Sequence, residues 1–391
     1  MEIHKRKLIF FKNGIETLGF FSIQLAKAFE EMGHEVFLFD LLEEKRDYKR
    51  LLSFLEYGNT TLISFNFTGF RGEDIFLEKD GTLLWDQKKI LCLNILVDHP
   101  FYYPQLLKHP PLLYRQICID RYHENYMHTY FPWIQTEPFL PLGGTGLSGF
   151  PPLEERENVV LFTGNYTPPT AFDKYITRLD DDYTAFYHSI IDTLISNPSL
   201  PMEIAFTDAL YRELGNLSKE ALKACMENMI FIDLYVRFYF RGLVIKTLVD
   251  NGIQVHVFGS GWEKLDCIHK ENLILGGAVS SHACLLEMQK AKISLNVMPW
   301  FKDGAHDRIF NSMLNGALCL TDSSIFLEQE FVDNQDLCFF SLLDITSLPQ
   351  KIINLLENPA SMNTIIQTGY QKAKLHHTWK ERAKIIADYI A

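Results

Sequence analysis

The sequence predicts a two-domain α/β protein with a doubly wound parallel sheet in each domain. In both halves of the chain, near-continuous apolar segments of strand length alternate with segments of helical periodicity. That pattern is typical of parallel sheets covered by helices on both faces. Between the halves, residues 132–152 hold five prolines and four glycines, the composition of a linker. We therefore place an N-terminal domain at 1–150, which includes most of this linker, and a C-terminal domain at 151–375.

The N-terminal half contains five predicted strands and one well-marked helix. Apolar positions at helical spacing predict a helix from Leu18 to Met32, and Gly33 suits the position after its end. Ile75–Trp85 departs from the alternation, because Lys79-Asp80-Gly81-Thr82 indicates a hairpin turn. The predicted strands are 8–11, 35–40, 61–67, 90–97 and 116–119.

The C-terminal half repeats the pattern with a helical insertion after its first strand. Residues 170–235 are mostly helical in periodicity, and Ser218 is a suitable N-cap within them. A final helix over 376–391 follows the second domain. The predicted strands are 158–164, 253–258, 292–298, 317–321 and 336–340, and the predicted helices are 279–290, 308–316, 346–357 and 360–373.

Charge and cysteine usage narrow the class of protein. The chain has 37 Lys and Arg against 49 Asp and Glu, a net charge of −12, which argues against general nucleic-acid binding. The seven cysteines stand singly, as expected of core residues in a reducing compartment. No apolar run is long enough to cross a membrane. We expect a cytoplasmic protein.

Common cofactor and metal motifs are missing from the sequence. The loop after the first strand, which contains Asn13 and Gly14, lacks the G-x-G-x-x-G pattern of dinucleotide-binding proteins. His376 and His377 are adjacent rather than at metal-ligand spacing. We therefore expect neither a bound cofactor nor a metal ion.

A loop, a short helix and a glycine stop precede the strand at 317–321, and this segment suggests anion binding. Backbone N–H groups at a helix N-terminus, with the positive end of the helix dipole, suit a diphosphate. Arg308, in the first turn, opposes that dipole, so an anion bound at the same end would explain its presence. The alternative is an exposed arginine on a surface helix.

Several motifs of the second half resemble the CgeB-like (spore maturation protein-like) glycosyltransferases. They occur in order over roughly residues 156–390, whereas the first half is similar only in pattern. The motifs are Val159–Gly164, Arg237 and Arg241 before Val255-x-Val-Phe-Gly259-x-x-Trp262, Lys292–Val297, Arg308-x-Phe310, Gly316–Thr321 and His377-Thr378-Trp379-x-x-Arg382.

The resemblance implies a GT-B fold, in which two Rossmann-like domains face each other across a cleft. The C-terminal domain would bind a nucleotide-diphosphate sugar, with a UDP-sugar favoured, the N-terminal domain would bind the acceptor, and the last helix would cross back to it. Catalysis would need no metal, because Arg308 and the helix N-terminus would neutralise the leaving diphosphate. The implied donor-binding residues are Gly164, Asn165, Gly259, Ser260, Gly261, Trp262, Asn296, His306, Asp307 and Asn311.

Two of these positions leave alternatives open. Trp262 either packs against the donor base and the cleft or serves domain packing. Asn311 stands where related enzymes have a glutamate that binds the ribose hydroxyls. That exchange weakens donor binding, is compensated by a neighbouring acid, or marks a loss of catalysis.

On the acceptor side, the strand at 90–97 ends at the best candidates for a general base. Asp98 or His99 could take the proton of the acceptor hydroxyl, although Asp98 before Pro100 is also a common turn residue. Asn13 and Gly14 would face the same cleft. Aromatic residues that could stack on a sugar, among them Tyr102 and Tyr103, follow closely.

The sequence thus predicts a metal-independent glycosyltransferase that moves a hexose or N-acetylhexosamine to an acceptor not identified by the sequence. One alternative is a GT-B protein that binds a sugar nucleotide or a partner without turnover. The other is a nucleotide-sugar epimerase on the same fold.

Overall fold

The computed structural model describes residues 5–390 of the chain. The chain divides into two compact units. Unit 1 comprises the residues up to Gly143 together with those from His377 onward, and unit 2 comprises Gly144–His376. The division therefore falls inside the segment expected to be a linker, seven residues before the expected boundary at residue 150.

Unit 1 is built on a six-stranded parallel sheet with the strand order β2-β1-β3-β4-β5-β6. The strands are β1 (Lys7–Lys12), β2 (Glu35–Asp40), β3 (Thr60–Phe65), β4 (Leu91–Leu96), β5 (Tyr114–Cys118) and β6 (Gln135–Thr136). The helices are α1 (Glu16–Glu31), α2 (Glu44–Phe54), α3 (Leu84–Gln87), α4 (Pro104–Lys108) and α5 (Arg121–Tyr130).

Two features of unit 1 differ from the sequence prediction. The predicted hairpin over 75–85 is reduced to a single antiparallel bridge between Leu77 and Leu83, although its turn forms. Phe76 and Trp85, on either side of the bridge, are buried against each other and against Phe11, so core packing ends the strand pairing. The proline-rich segment from 132 is also not a free linker, because it supplies β6.

Unit 2 is built on a second six-stranded parallel sheet, in the order β12-β11-β10-β7-β8-β9. The strands are β7 (Asn158–Thr163), β8 (Val255–Phe258), β9 (Leu273–Gly277), β10 (Ala291–Asn296), β11 (Leu318–Asp322) and β12 (Cys338–Phe340). The helices are α6 (Asp173–Ile176), α7 (Asp181–Ser196), α8 (Met202–Leu214), α9 (Lys219–Glu227), α10 (Ile230–Asp250), α11 (Ser281–Lys290), α12 (Asp307–Leu314), α13 (Ile325–Glu330), α14 (Leu348–Glu357) and α15 (Pro359–His376).

The predicted helical insertion is present between β7 and β8, as helices α6 to α10. Asp180 and Ser218 cap α7 and α9 by accepting hydrogen bonds from the backbone N–H groups of Tyr183 and Ala221. Because α10 runs on to Asp250, the helical region extends about 15 residues beyond the expected end at 235. The last helix of the insertion thereby also leads into β8.

The final helix, α16 (Trp379–Tyr389), belongs to unit 1. The indole of Trp379 lies 5.5 Å from the ring of Phe21 and 6.0 Å from that of Phe65, measured between centroids. Arg382 donates to the carbonyl oxygens of Pro141 and Leu142. The C-terminal segment therefore contributes to the core of unit 1. No helix within the described residues is long and apolar enough to span a membrane.

The strand order of unit 2 determines where a ligand can approach its sheet. The chain builds β7, β8 and β9 toward one edge and then returns to place β10 on the other side of β7. In open parallel sheets, such a reversal opens a crevice at the carboxyl ends of the two central strands. The residues that follow β7 and β10 line this position.

Candidate functional site

The candidate site of unit 2 begins at the N-terminus of α12, which follows β10. The side chain of His306 caps this helix, with Nδ1 accepting a hydrogen bond from the backbone N–H of Arg308 at 3.3 Å. Burial, followed by the charge of Arg308, lowers the pKa of His306 to about 4. A neutral imidazole therefore caps the helix at neutral pH.

Arg308 is directed inward rather than along the protein surface. Its side chain is only 7% exposed, and Nη1 donates to the backbone oxygen of Thr163 at the end of β7. Gly164 makes room for it, because a Cβ atom there would lie 3.1 Å from Nη1. Arg308 is thus a buried residue of the crevice between β7 and β10, and the alternative of an exposed surface arginine is wrong.

A second buried arginine reaches the same place from the long helix α10. Arg241, also 7% exposed, donates from Nη1 to the backbone oxygen of Asn165 at 3.0 Å. Its Nε is buried and has no hydrogen-bond partner among the described residues. The ring of Trp300 lies beside both arginines of this helix. Its centroid is 4.8 Å from Cζ of Arg241 and 4.2 Å from Cζ of Arg237.

Arg241 belongs to the motifs that carry the family resemblance, but it was not among the predicted donor-binding residues. The sequence does carry a signal, since Arg237 and Arg241 stand four residues apart within an aromatic and apolar stretch of α10. The contact itself joins residues 76 positions apart and requires the fold.

The electrostatics of this cluster favour a bound anion. Burial, then the positive charges of Arg308 and Arg237, lower the pKa of Arg241 well below the usual arginine value. Burial likewise lowers the pKa of Arg308 to about 10. Of these three arginines, Arg237 has an ion pair with Asp233 at 2.9 Å. An anion near Arg241 and Arg308 would offset the unfavourable burial of their charges.

The loops after β7 and β8 are joined closely beside the arginines. Asn165 accepts hydrogen bonds through Oδ1 from the backbone N–H of Ser260 at 2.9 Å and from its hydroxyl at 3.2 Å. Gly259 and Gly261 adopt positive φ angles, and a Cβ atom at either would collide with the backbone oxygen of Gly164 or Tyr166. The two loops form one rigid rim of the crevice.

Trp262 and Asn296 occupy interior positions, and neither presents its side chain to the crevice. Trp262 is 1% exposed, stacks on Tyr166 and donates from Nε1 to the backbone oxygen of Gly164. The packing alternative therefore describes Trp262, and stacking on a donor base is not available to it. Asn296 is fully buried and donates to the hydroxyl of Thr321.

Asp307 and Asn311 form a structural pair on α12. Asn311 donates from Nδ2 to Oδ2 of Asp307 at 2.8 Å, while its Oδ1 accepts from the backbone N–H of Thr145. Burial acts to raise the pKa of Asp307, but His306 and Arg308 outweigh it and the pKa is lowered. Asn311 therefore holds the start of unit 2 against α12.

In unit 1, Asp98 lies at the carboxyl end of β4 within a defined hydrogen-bond network. Its Oδ2 accepts from Nδ2 of Asn66 at 2.9 Å and from the hydroxyl of Tyr103 at 3.1 Å. Burial and the neighbouring carboxylate raise the pKa of Tyr103, so the phenol remains a donor. Asn66 and Phe67 both adopt positive φ angles, a backbone geometry that is unfavourable for the bulky Phe67.

The other acceptor-side residues are arranged less favourably. His99 is buried and uses Nδ1 to accept from the backbone N–H of Phe101, so Asp98 is the more accessible of the two base candidates. Tyr102 stacks on Phe101. Asn13 adopts a φ of 61° and donates to Asp40, and Gly14 lies next to Leu41. These last two residues shape the turn after β1.

Neither the crevice of unit 2 nor the Asp98 network of unit 1 contains a cluster of metal-ligating side chains among the described residues. Within residues 5–390, no group of three or more His, Cys, Asp or Glu side chains is placed to hold a metal ion.

Comparison with known proteins relates the chain to glycosyltransferases. Residues 241–388 match a family model described as glycosyl transferase-like, which begins at Arg241 and includes α12. No curated protein matches the chain in sequence.

Solved structures match over nearly the whole chain at low sequence identity. An alpha-glucosyltransferase in complex with UDP-glucose and DNA containing an abasic site aligns with a TM-score of 0.56 and 13% identity, covering 98% of this chain and 99% of that one. Sucrose-phosphate synthase from Thermosynechococcus elongatus aligns with a TM-score of 0.54 and 11% identity, covering 98% of each chain. A glycosyltransferase from Rickettsia africae aligns with a TM-score of 0.50 and 9% identity, covering 99% of each. The predicted GT-B fold is confirmed.

Proposed function

We propose that the protein is a glycosyltransferase that uses a UDP-sugar as donor. The observation that carries the proposal is the pair of buried arginines, Arg308 and Arg241, at the strand-order reversal of unit 2. A diphosphate placed between them would receive charge-assisted hydrogen bonds and would compensate two buried positive charges. The match of residues 241–388 to a glycosyl transferase-like model supports it. So does the fold shared with an alpha-glucosyltransferase solved with UDP-glucose.

In the proposed reaction, a hydroxyl oxygen of the acceptor attacks the anomeric carbon of the donor sugar. The bond between that carbon and the diphosphate oxygen breaks, and the electron pair leaves with UDP. Arg308, Arg241 and the N-terminus of α12 stabilise the charge that develops on the diphosphate. Asp98 takes the proton of the acceptor hydroxyl, oriented by Asn66 and Tyr103.

The finer assignments belong to the same proposal. We assign the chain to the CgeB-like group, with a hexose or N-acetylhexosamine as the transferred sugar and a cytoplasmic location. The reaction is metal-independent, because the guanidinium groups supply the positive charge that a metal would otherwise provide. Gly164, Asn165, Gly259, Ser260 and Gly261 form the rim against which the donor lies.

The direct test is a donor panel with two matched variants. The purified protein is incubated with UDP-, GDP- and dTDP-sugars, and release of the nucleoside diphosphate is measured. We expect release from one UDP-sugar, and a loss of at least about a hundredfold in Arg308→Ala. Arg212→Ala, which changes an exposed arginine of the same unit, should retain the rate. Unchanged turnover in a folded Arg308→Ala protein would refute the assignment.

A second candidate function is donor binding without turnover, and the position of Asn311 favours it. The side-chain amide of Asn311 donates to Asp307 and accepts from Thr145, so it is poorly placed to replace the ribose-binding carboxylate of related enzymes. We interpret the absence of that carboxylate as a mark of lost catalysis. Calorimetric binding of UDP-sugars with no diphosphate release across the whole panel would support this function over catalysis.

A further inference from the structure

A separate cavity of about 470 Å³ lies at the carboxyl ends of β11 and β12 in unit 2. Its walls are the loops that follow β10, β11 and β12, together with the loop between α7 and α8 of the helical insertion. None of the residues assigned to donor binding or catalysis above lines it.

Asp322 is the most unusual group in this cavity. It is 3% exposed, and Oδ1 accepts a hydrogen bond from the backbone N–H of Met298 at 2.8 Å. Oδ2 takes no part in that bond, and Asp322 lines the cavity. A ligand in the cavity could donate a hydrogen bond to Oδ2 in the place of water.

The surroundings of Asp322 indicate which donor fits. Lys302 donates its ammonium hydrogens to the backbone oxygens of Pro198 and Pro299, and its charge acts on Asp322 together with those of Arg308 and Arg241. A cation would be repelled by these groups. An anion would meet Asp322 and Glu328, both of which line the cavity. The chemistry therefore favours a neutral ligand with several hydroxyl donors.

The apolar part of the wall suits the same ligand. Phe339 and Phe340 follow one side of the cavity, and the hydroxyl of Ser323 lies on another. Aromatic faces bind the C–H groups of a sugar ring while carboxylates accept from its hydroxyls. The volume is sufficient for one or two such rings.

We propose that this cavity is a binding subsite for a pyranose ring, with Oδ2 of Asp322 accepting a hydrogen bond from a ring hydroxyl. The ring has two possible sources: the sugar of the nucleotide donor, which rests on the proposed function, or a carbohydrate that is not attached to a nucleotide. Met298, whose backbone N–H bonds to Asp322, belongs to the loop between β10 and α12, the helix at which the donor diphosphate is proposed to bind.

The test is calorimetric binding of UDP, UDP-glucose and maltose to the full-length protein and to Asp322→Asn. Asparagine keeps an oxygen to accept from Met298 but lacks the carboxylate. We expect UDP to bind equally to both proteins, and the affinity for UDP-glucose to fall about tenfold in the variant. Asp336→Asn, which changes a buried aspartate of the same unit outside the cavity, should leave both affinities unchanged.

The outcomes separate the two sources and the two proposals. A loss confined to UDP-glucose identifies the donor sugar, whereas a loss confined to maltose identifies a free carbohydrate; both support the subsite. Absence of any UDP binding would count against the proposed function but leaves the maltose experiment to decide the cavity. If Asp322→Asn affects neither ligand, or if neither ligand binds the wild type, the subsite is overturned.

A second variant guards against misfolding of Asp322→Asn. Ser323→Trp places a large ring at an exposed position of the cavity wall without changing a buried group. It should reduce binding of the same ligand by at least tenfold while the circular dichroism spectrum stays that of the wild type. Normal binding in this folded variant would also contradict the proposal.

Discussion

The guanidinium of Arg241 is buried, which makes its positive charge energetically unfavourable, and its hydrogen bonding is incomplete. It makes one hydrogen bond, to the backbone oxygen of Asn165, and its Nε has no partner within residues 5–390. We predict that Arg241→Met changes the free energy of unfolding by no more than about 1 kcal/mol, because the lost bond is offset by removal of a buried charge. UDP affinity should nevertheless fall at least about tenfold, as measured by calorimetry.

Arg156 provides the contrasting control. It is equally buried, but it donates to the backbone oxygens of Pro151, Ala291 and Gly316. Arg156→Met should lower the free energy of unfolding by about 3 kcal/mol, since three acceptors lose their donor, and should leave UDP affinity unchanged. Equal effects of the two substitutions on stability would show that Arg241 is only a structural residue.

The carboxyl of Asp322 makes stability depend on pH. Burial raises its pKa to about 7, against the opposing effects of the Met298 N–H and of Lys302. In the unfolded chain the pKa is near its ordinary value of about 3.9. Between these values the folded state keeps a proton that the unfolded state releases, so this group's contribution to stability is lost as pH rises from about 4 to about 7.

Urea unfolding at several pH values tests this dependence. Relative to Asp322→Asn, the wild type should lose about 2–3 kcal/mol between pH 5 and pH 7, and nothing further above pH 8. A difference between the two proteins that stays constant over this range would mean that Asp322 titrates as an ordinary aspartate.

At the scale of the elements, the rim formed by the loops after β7 and β8 depends on glycine. A Cβ atom at Gly259 would lie 2.4 Å from the backbone oxygen of Gly164, at a φ of +137°. We predict that Gly259→Ala lowers the free energy of unfolding by at least about 3 kcal/mol and weakens UDP binding. Gly215→Ala, at a φ of +73° with open space around it, should cost about 1 kcal/mol and leave binding intact. Comparable costs would argue against close packing of the two loops.

The elements also show how far a sequence determines this fold. β1 and β10 follow directly from apolar runs, because burial on both faces leaves a strong pattern. The edge strand β2 has a similar apolar run, and α12 follows from its helical spacing. The short edge strands β6 and β9 were not predicted, since β6 has two residues and β9 ends in two exposed glycines. Their pairing depends on neighbouring strands rather than on their own composition.

The candidate site divides in the same way. Some parts of the site could be located from the sequence. These are the glycines of the loops after β7 and β8 and the position of Arg308, because they come soon after strands that the apolar pattern predicts. The burial of Trp262, the double hydrogen bonding of Asn311 and the approach of Arg241 to Asn165 depend on contacts between distant segments. The position of Asp322 on a cavity wall likewise becomes visible only when four loops come together.

On the scale of the whole molecule, the chain passes between its two units twice. Unit 2 is continuous in sequence, whereas unit 1 needs the segment from His377 to complete it. Within unit 1, Trp379 packs against Phe21 and Phe65, and Arg115 donates to the backbone oxygen of Tyr389. The two units should therefore differ in how they tolerate separation.

We predict that residues 144–376 fold alone and bind UDP with nearly the affinity of the full chain, because both arginines of the candidate site lie within that fragment. Residues 1–143 alone should be unstable, since loss of α16 exposes the rings of Phe21 and Phe65 to water. Joining residues 377–391 to the C-terminus of the 1–143 fragment through a flexible linker should restore cooperative thermal unfolding of that fragment. Circular dichroism melts of the three fragments, with calorimetry on the first, provide the measurement. Cooperative unfolding of 1–143 without the helix would show that α16 is dispensable, and failure of 144–376 to bind UDP would place essential donor contacts outside unit 2.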